Sequence, residues 1–133
     1  MDVPQEALLL RIYLTSGDRH GLDSLYVAIV KAAREAGLAG ATALKGPMGF
    51  GHSRTMHHEH LVPFGEDHPV VVEIVDSAEK IEAFLPRLDE MMQSGLVTLE
   101  RARVLHYGRP RKGLLARFRA HFGHEQDADK PAG

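Results

Sequence analysis

The sequence predicts an α+β fold of the ferredoxin-like type, βαββαβ: a four-stranded antiparallel sheet with two helices on one face, followed by a short C-terminal helix. Three observations predict it. Strand and helix patterns alternate in the order strand, helix, strand, strand, helix, strand, which is the split βαβ arrangement. Each helical pattern is bounded by its own stop signal, Gly37 and Gly95. The chain has 133 residues, enough for one domain and a tail. The expected division is a domain over residues 1–112 and a short basic helix with a disordered tail over 113–133.

The first strand is "ALLLRIYL", Ala7 to Leu14. Leu8, Leu10, Ile12 and Leu14 share one face, and Ala7, Leu9, Arg11 and Tyr13 the other. After the turn-rich "TSGDRHG", apolar residues from Leu22 to Ala36 recur at helical spacing. Gly37 suits the left-handed position that ends such a helix. "ATALKG", Ala41 to Gly46, reads as the second strand. "VVVEIV", Val70 to Val75, reads as the third, on its β-branched content. Asp76 and Glu79 form a D-x-x-E capping box for the second helix. Its apolar stripe includes Ile81, Phe84, Leu88 and Met91, with Pro86 as a potential kink. "LVTLERARVLHY" reads as the fourth strand. Its apolar phase shifts between Leu99 and Ala102, which predicts a β-bulge near Glu100–Arg101. "GLLARFRAHFG" fits a short basic amphipathic helix packed against the body, and "HEQDADKPAG" a disordered end.

Composition narrows the function classes. Apolar residues make up 44% and charged residues 26%, with a net charge of −2, so no global field points to nucleic acid. The absence of cysteine excludes disulfides, thiolate metal sites and thiol nucleophiles. The N-terminus has no basic region before its apolar run, and Arg11 interrupts that run. Neither a secretory signal nor a membrane span is predicted, and a cytoplasmic location follows. Charge is uneven, however. From Arg101 to Arg119 the chain carries seven Arg or Lys and no Asp or Glu, a local cationic block suited to an anion. The sheet face opposite the helices also keeps apolar residues on either choice of face. It calls for a partner subunit, most economically in a closed homo-oligomer.

The run "GLAGATALKGPMGFGHSRTMHHEH", followed by "PVVVEIVDSAEKIEAFLPRLDEM", resembles domain-of-unknown-function family 190, which belongs with the PII-like proteins. The resemblance covers roughly Leu8 to Tyr107. It implies a homotrimer with ligands in clefts between neighbouring subunits, adenine nucleotides being the usual ones. It makes the 46–68 loop the counterpart of the mobile T-loop, which transmits ligand occupancy to a channel, transporter or enzyme. Members of the family are often encoded beside the fluoride-exporting membrane channel, so that channel is an expected partner. One departure matters. The second glycine-rich loop of PII proteins, T-G-x-x-G-D-G-K, is replaced here by "QSGLVTLERARV", with Gly95 alone. The usual ATP cradle therefore does not carry over.

Read chemically, Gly49, Phe50 and Gly51 could form an anion-binding nest of backbone N–H groups, with Phe50 offering a face or edge to a base. Arg54 could pair with phosphate. Arg101 and Arg103, on one side of the last strand, could approach with their planar forks, with Arg109 as a further basic contact. Five of the nine histidines, His52, His57, His58, His60 and His68, fall in this loop. Neutral imidazole binds zinc, copper or nickel, so His57, His58 and His60 make an alternative metal-responsive site. Otherwise they are solvated, or join Arg54 in contacting a partner. Ser53, His52 and Glu59 do not amount to a triad, because nothing fixes their geometry. The expectation is therefore a binding protein and not an enzyme. No cofactor is required, an adenine nucleotide is the candidate effector, and nucleic acid is not an expected partner.

Overall fold

The computed structural model describes residues 3–51, 57–58, 67–108 and 113–128, with side chains up to Phe122 and without those of His57 and His58. The main elements are β1 (Glu6–Thr15), α1 (Leu25–Glu35), β2 (Thr42–Lys45), β3 (Pro69–Asp76), α2 (Ala78–Met91), β4 (Leu96–Arg103) and α3 (Leu114–Ala128). The four strands form one sheet in the order β2-β3-β1-β4. Every neighbouring pair is antiparallel. This is the ferredoxin-like arrangement, with β1 and β3 in the centre and β2 and β4 at the edges.

Residue alternation sets the two faces. Leu10 lies opposite Ile74 on β3 and Leu99 on β4, and Ile12 opposite Val72 and Val97. Directly opposed residues share a face. The face that carries Leu10, Ile12, Leu14, Val70, Val72 and Ile74 is the buried one, all at 6% exposure or less. α1 covers it with Leu25, Ile29, Ala32 and Ala33, and α2 with Ile81, Phe84, Leu88 and Met91. Both helices lie on this one face, as the sequence predicts. Leu22, placed in the first helical stripe by its spacing, is instead 95% exposed. The chain there is still in a short ladder pairing Arg19–His20 with Asp23–Ser24.

α1 ends as expected at Gly37, whose φ is +76°. The Gly37 N–H donates to the Arg34 carbonyl and the Leu38 N–H to the Ala33 carbonyl, the two bonds of a Schellman motif. Leu38, at 6% exposure, folds back into the core beside Ala33. The start of α2 differs from the expected capping box. Its N-cap is Ser77, whose hydroxyl accepts from the Lys80 N–H at 3.3 Å. Asp76, one residue earlier, is 1% exposed and makes a tertiary contact instead. Its carboxylate accepts from Ala39 N at 2.8 Å and from Ser77 N at 2.7 Å. α2 runs through Pro86 to Met91. The ring removes the donor that Glu82 O would otherwise meet.

Two expectations near the C-terminus are corrected. β4 pairs with β1 in one unbroken register from Tyr13↔Leu96 to Glu6↔Arg103, with no bulge at Glu100–Arg101. The apolar phase shift reflects an edge strand whose residues are largely exposed, so burial does not enforce a pattern on it. The tail from His124, read as disordered, continues α3 as helix to Ala128. α3 rests against the body. His121 Nδ1 meets Gln5 Nε2 at 2.9 Å, and an Arg117 N–H donates to Leu105 O at 2.6 Å.

Candidate functional site

Three surfaces could carry function: the uncovered sheet face, the root of the 46–68 loop, and the outer row of β4.

The uncovered face carries Leu9, Arg11 and Tyr13 on β1 and Val71, Glu73 and Val75 on β3. Thr42 and Leu44 on β2 and Leu96, Thr98 and Glu100 on β4 complete it. No helix covers its centre, and Leu44, Leu96 and Tyr13 stand out at 53%, 56% and 37% exposure. In the middle, Arg11 Nε donates to Glu73 Oε1 at 3.0 Å and Arg11 NH1 to Glu100 Oε1 at 2.9 Å. The Glu73 hydrogen bond, with the nearby Glu100 charge, raises the Arg11 pKa above its ordinary value despite some desolvation. Arg11 therefore stays a cation. Glu73, the one charge within the otherwise apolar run from Val70 to Val75, is thus paired across the sheet with Arg11. Arg103, on the other face, meets Glu6 at 3.3 Å.

The loop root is tied down by backbone. Ser16 N donates to His68 O, and His68 N to Ser16 Oγ, both at 2.8 Å. Gly46 N donates to Pro69 O at 2.7 Å. Met48–Gly49 pairs with His57–His58, so the loop begins as a short antiparallel ladder. Neither Gly49 nor Gly51, where a nest is expected, has a positive φ. Among the described glycines, positive φ occurs at Gly21, Gly37, Gly95 and Gly108. Gly49 has a different reason to be glycine. A Cβ there would come within 3.3 Å of the Pro69 ring, and at Gly46 within 3.1 Å. Phe50 is 64% exposed. Arg54, His60 and Arg109 lie outside the described residues, as do the side chains of His57 and His58. The alternative histidine metal site is thus outside them too. The described residues hold no cluster of three or more His, Asp or Glu able to bind a metal.

The β4 row is Val97, Leu99, Arg101 and Arg103, opposite Ile12, Leu10, Leu8 and Glu6. It lies on the helix side of the sheet, at the edge beside α2, which packs over β1. Val97 and Leu99 are 39% and 49% exposed. With no bulge, Arg101 and Arg103 project to the same side, as alternation requires. Among the described residues, nothing pairs with Arg101. Next to the row, a groove of about 710 Å³ runs between α2 and β4 past Leu85, Pro86, Met92, Gly95 and Val97.

One chain does not bring the glycine segment and these arginines together. β2 and β4 are opposite edges of the sheet. Lys45, just before the loop, lies level with Val70 and Leu14, whereas Arg103 lies level with Glu6. That separates them by roughly 25 Å along the strands and about 14 Å across them. A cleft containing both must be built from two chains. The cationic row beside an aromatic helix was half legible in sequence. The block from Arg101 to Arg119 showed the charge, but nothing local showed that α3 folds back onto Arg103.

Comparison with known proteins agrees with this fold. The family described as uncharacterized ACR, DUF190, matches residues 7–104. A UPF0166 protein of Aquifex aeolicus is 34% identical over 98 residues, covering 74% of this chain and 92% of that protein. UPF0166 protein MJ1524 of Methanocaldococcus jannaschii is 34% identical over 95 residues, covering 71% and 87%. Among solved structures, the PII-like signalling protein TTHA0516 of Thermus thermophilus superposes with a TM-score of 0.57 at 20% identity, over 78% of this chain and 93% of that one. CPII of Thiomonas intermedia, a nitrogen regulatory PII-like protein bound to ADP, AMP and bicarbonate, superposes with a TM-score of 0.52 at 22% identity, over 74% and 88%. No described helix is long and apolar enough to cross a membrane. Sheet order, two helices on one face and the match over residues 7–104 converge: this chain belongs to the DUF190 (UPF0166) family and has a PII-like fold.

Proposed function

We propose that the protein is a PII-like regulator that works by binding and not by catalysis. Three copies bury their uncovered sheet faces together, and an adenine nucleotide sits in the cleft between neighbouring copies. Its phosphates take Arg101 and Arg103 of one chain, and the root of the 46–68 loop closes on it from the next. Loop order then reports occupancy to a membrane channel or transporter, with the fluoride channel the first candidate by family association. The observation that carries this reading is the uncovered sheet face. Leu9, Tyr13, Leu44, Val71, Val75 and Leu96 form an apolar surface spanning all four strands, more than a lone domain ordinarily leaves to water. Arg101, which nothing among the described residues pairs, supports the anion, and the in-chain separation of loop and arginines supports a cleft between chains. CPII, with a similar fold, binds ADP and AMP, which supports the ligand class.

The mechanism needs little energy. A nucleotide that favours one loop state changes partner affinity 10- to 100-fold through a coupling of about 1.4 to 2.7 kcal/mol. One or two charge-assisted hydrogen bonds supply that much. The test is light scattering on the full chain followed by calorimetric titration with ADP, ATP and AMP. A trimer that binds at least one of them, and loses binding in Arg101→Ala, is expected. A strict monomer, or a trimer blind to all three, refutes the reading.

A further inference from the structure

The family match ends at residue 104, and α3 lies beyond it. Yet α3 returns to the arginine row. The Arg103 guanidinium lies 5.4 Å from the centre of the Phe122 ring. Phe122 in turn stacks with Phe118, centroids 4.6 Å apart and planes inclined at 36°. Gln5 and Leu105 hold α3 in this place through His121 and Arg117. Phe118 itself is 46% exposed, one turn from the docked Phe122 ring. Arg103 gives one N–H to Glu6 and keeps its other donors. Arg101, two residues along on the same face, is taken up by nothing among the described residues.

We infer that α3 completes the ligand site: Phe118 is a platform for a flat heterocyclic base whose phosphates are held by Arg101 and Arg103. This rests on the nucleotide reading above and deepens it, because it assigns the base to a helix outside the family's common core. The chemistry suits the parts. Arginine forks match phosphate oxygens. An exposed aromatic ring stacks on any base, and the Phe122 ring behind it keeps it from collapsing against the body. Phe50, the other exposed aromatic considered for the base, sits at the far edge and far end of its own sheet from the arginines.

Calorimetric titration of the full chain with ADP and with inorganic pyrophosphate tests the assignment. Phe118→Ala is expected to weaken ADP about tenfold and to leave pyrophosphate unchanged, as loss of one stacked base requires. The chain has no tryptophan, so Phe118→Trp supplies a single indole that can be excited apart from the three tyrosines. Its emission is expected to be quenched by ADP and not by pyrophosphate, with ADP affinity kept. Equal weakening of both ligands in Phe118→Ala overturns the inference, since the helix would then only hold the arginines in place. So does an unchanged ADP affinity, or a Phe50→Ala variant that takes the whole loss. In those cases binding lost in Arg101→Ala leaves the nucleotide reading standing. A wild-type chain that binds no ADP overturns both.

Discussion

Removing the Asp76 carboxylate should be among the most damaging single changes outside the apolar core. The side chain is 1% exposed, and its two oxygens accept from Ala39 N at 2.8 Å and Ser77 N at 2.7 Å. Those bonds fasten the β3–α2 junction to the segment that follows α1. A hydrogen bond to a charged group contributes about 1.5–3 kcal/mol, and an orphaned buried donor costs a comparable amount. Asp76→Ala leaves two such donors on the half-buried Ala39 and Ser77, so the expected loss is about 3–5 kcal/mol if water does not replace the carboxylate. Asp76→Asn keeps one acceptor oxygen and should lose roughly half of that. Urea unfolding followed by circular dichroism, at matched chain concentration because assembly feeds into apparent stability, reads the difference. With a slope near 2 kcal/mol per molar urea, the midpoint should fall by about 2 M in Asp76→Ala. A fall of less than about 0.5 M would show that the junction relaxes and re-pairs its donors, and would refute this reasoning.

Other outcomes follow from the same coordinates. Gly95→Ala forces a Cβ to within 2.8 Å of both Tyr13 O and Met92 Cε at a φ of +125°; it should lower the melting temperature by about 5–10 °C, read by scanning calorimetry. Phe84→Ala, at a position 2% exposed in α2, should cost about 3–5 kcal/mol in the same urea assay. Val71→Lys places a charge between Tyr13 and Leu44 on the uncovered face. It should reduce the assembly to monomers by light scattering while leaving the far-ultraviolet spectrum intact, and an unchanged mass would place the subunit contact elsewhere.

The central strands were legible in the sequence because burial on one face enforces alternation. β3 obeys it over its whole length and β1 from Leu9 to Thr15, and Leu10, Ile12, Val72 and Ile74 are essentially closed to solvent. β4 was harder to read. Its register is set by hydrogen bonds to β1, and its exposed residues are under no such pressure, so Leu99 and Ala102 fall on different faces without a bulge. Asp76 was read as a cap because D-x-x-E and the true cap Ser77 differ by one position. Its main partner, Ala39, is 37 residues away and leaves no local trace. The site divides in the same manner. Alternation alone put Arg101 and Arg103 on one side. Their distance from Gly49–Gly51 depends on sheet order, and the return of α3 depends on contacts with Gln5 and Leu105. Neither is written in any short window of residues.

The Arg11–Glu73–Glu100 trio has a consequence for whatever covers the sheet. Its three charges sit amid Leu9, Tyr13, Val71, Val75 and Leu96, whose greasy contacts alone would let two surfaces slide over each other at little cost. A covering chain displaced by one residue would trap part of this ionic knot against hydrocarbon with its solvent stripped away. In the proposed assembly the knot would act as a locating pin: it would add little grip, but leave one seating that does not strand a charge.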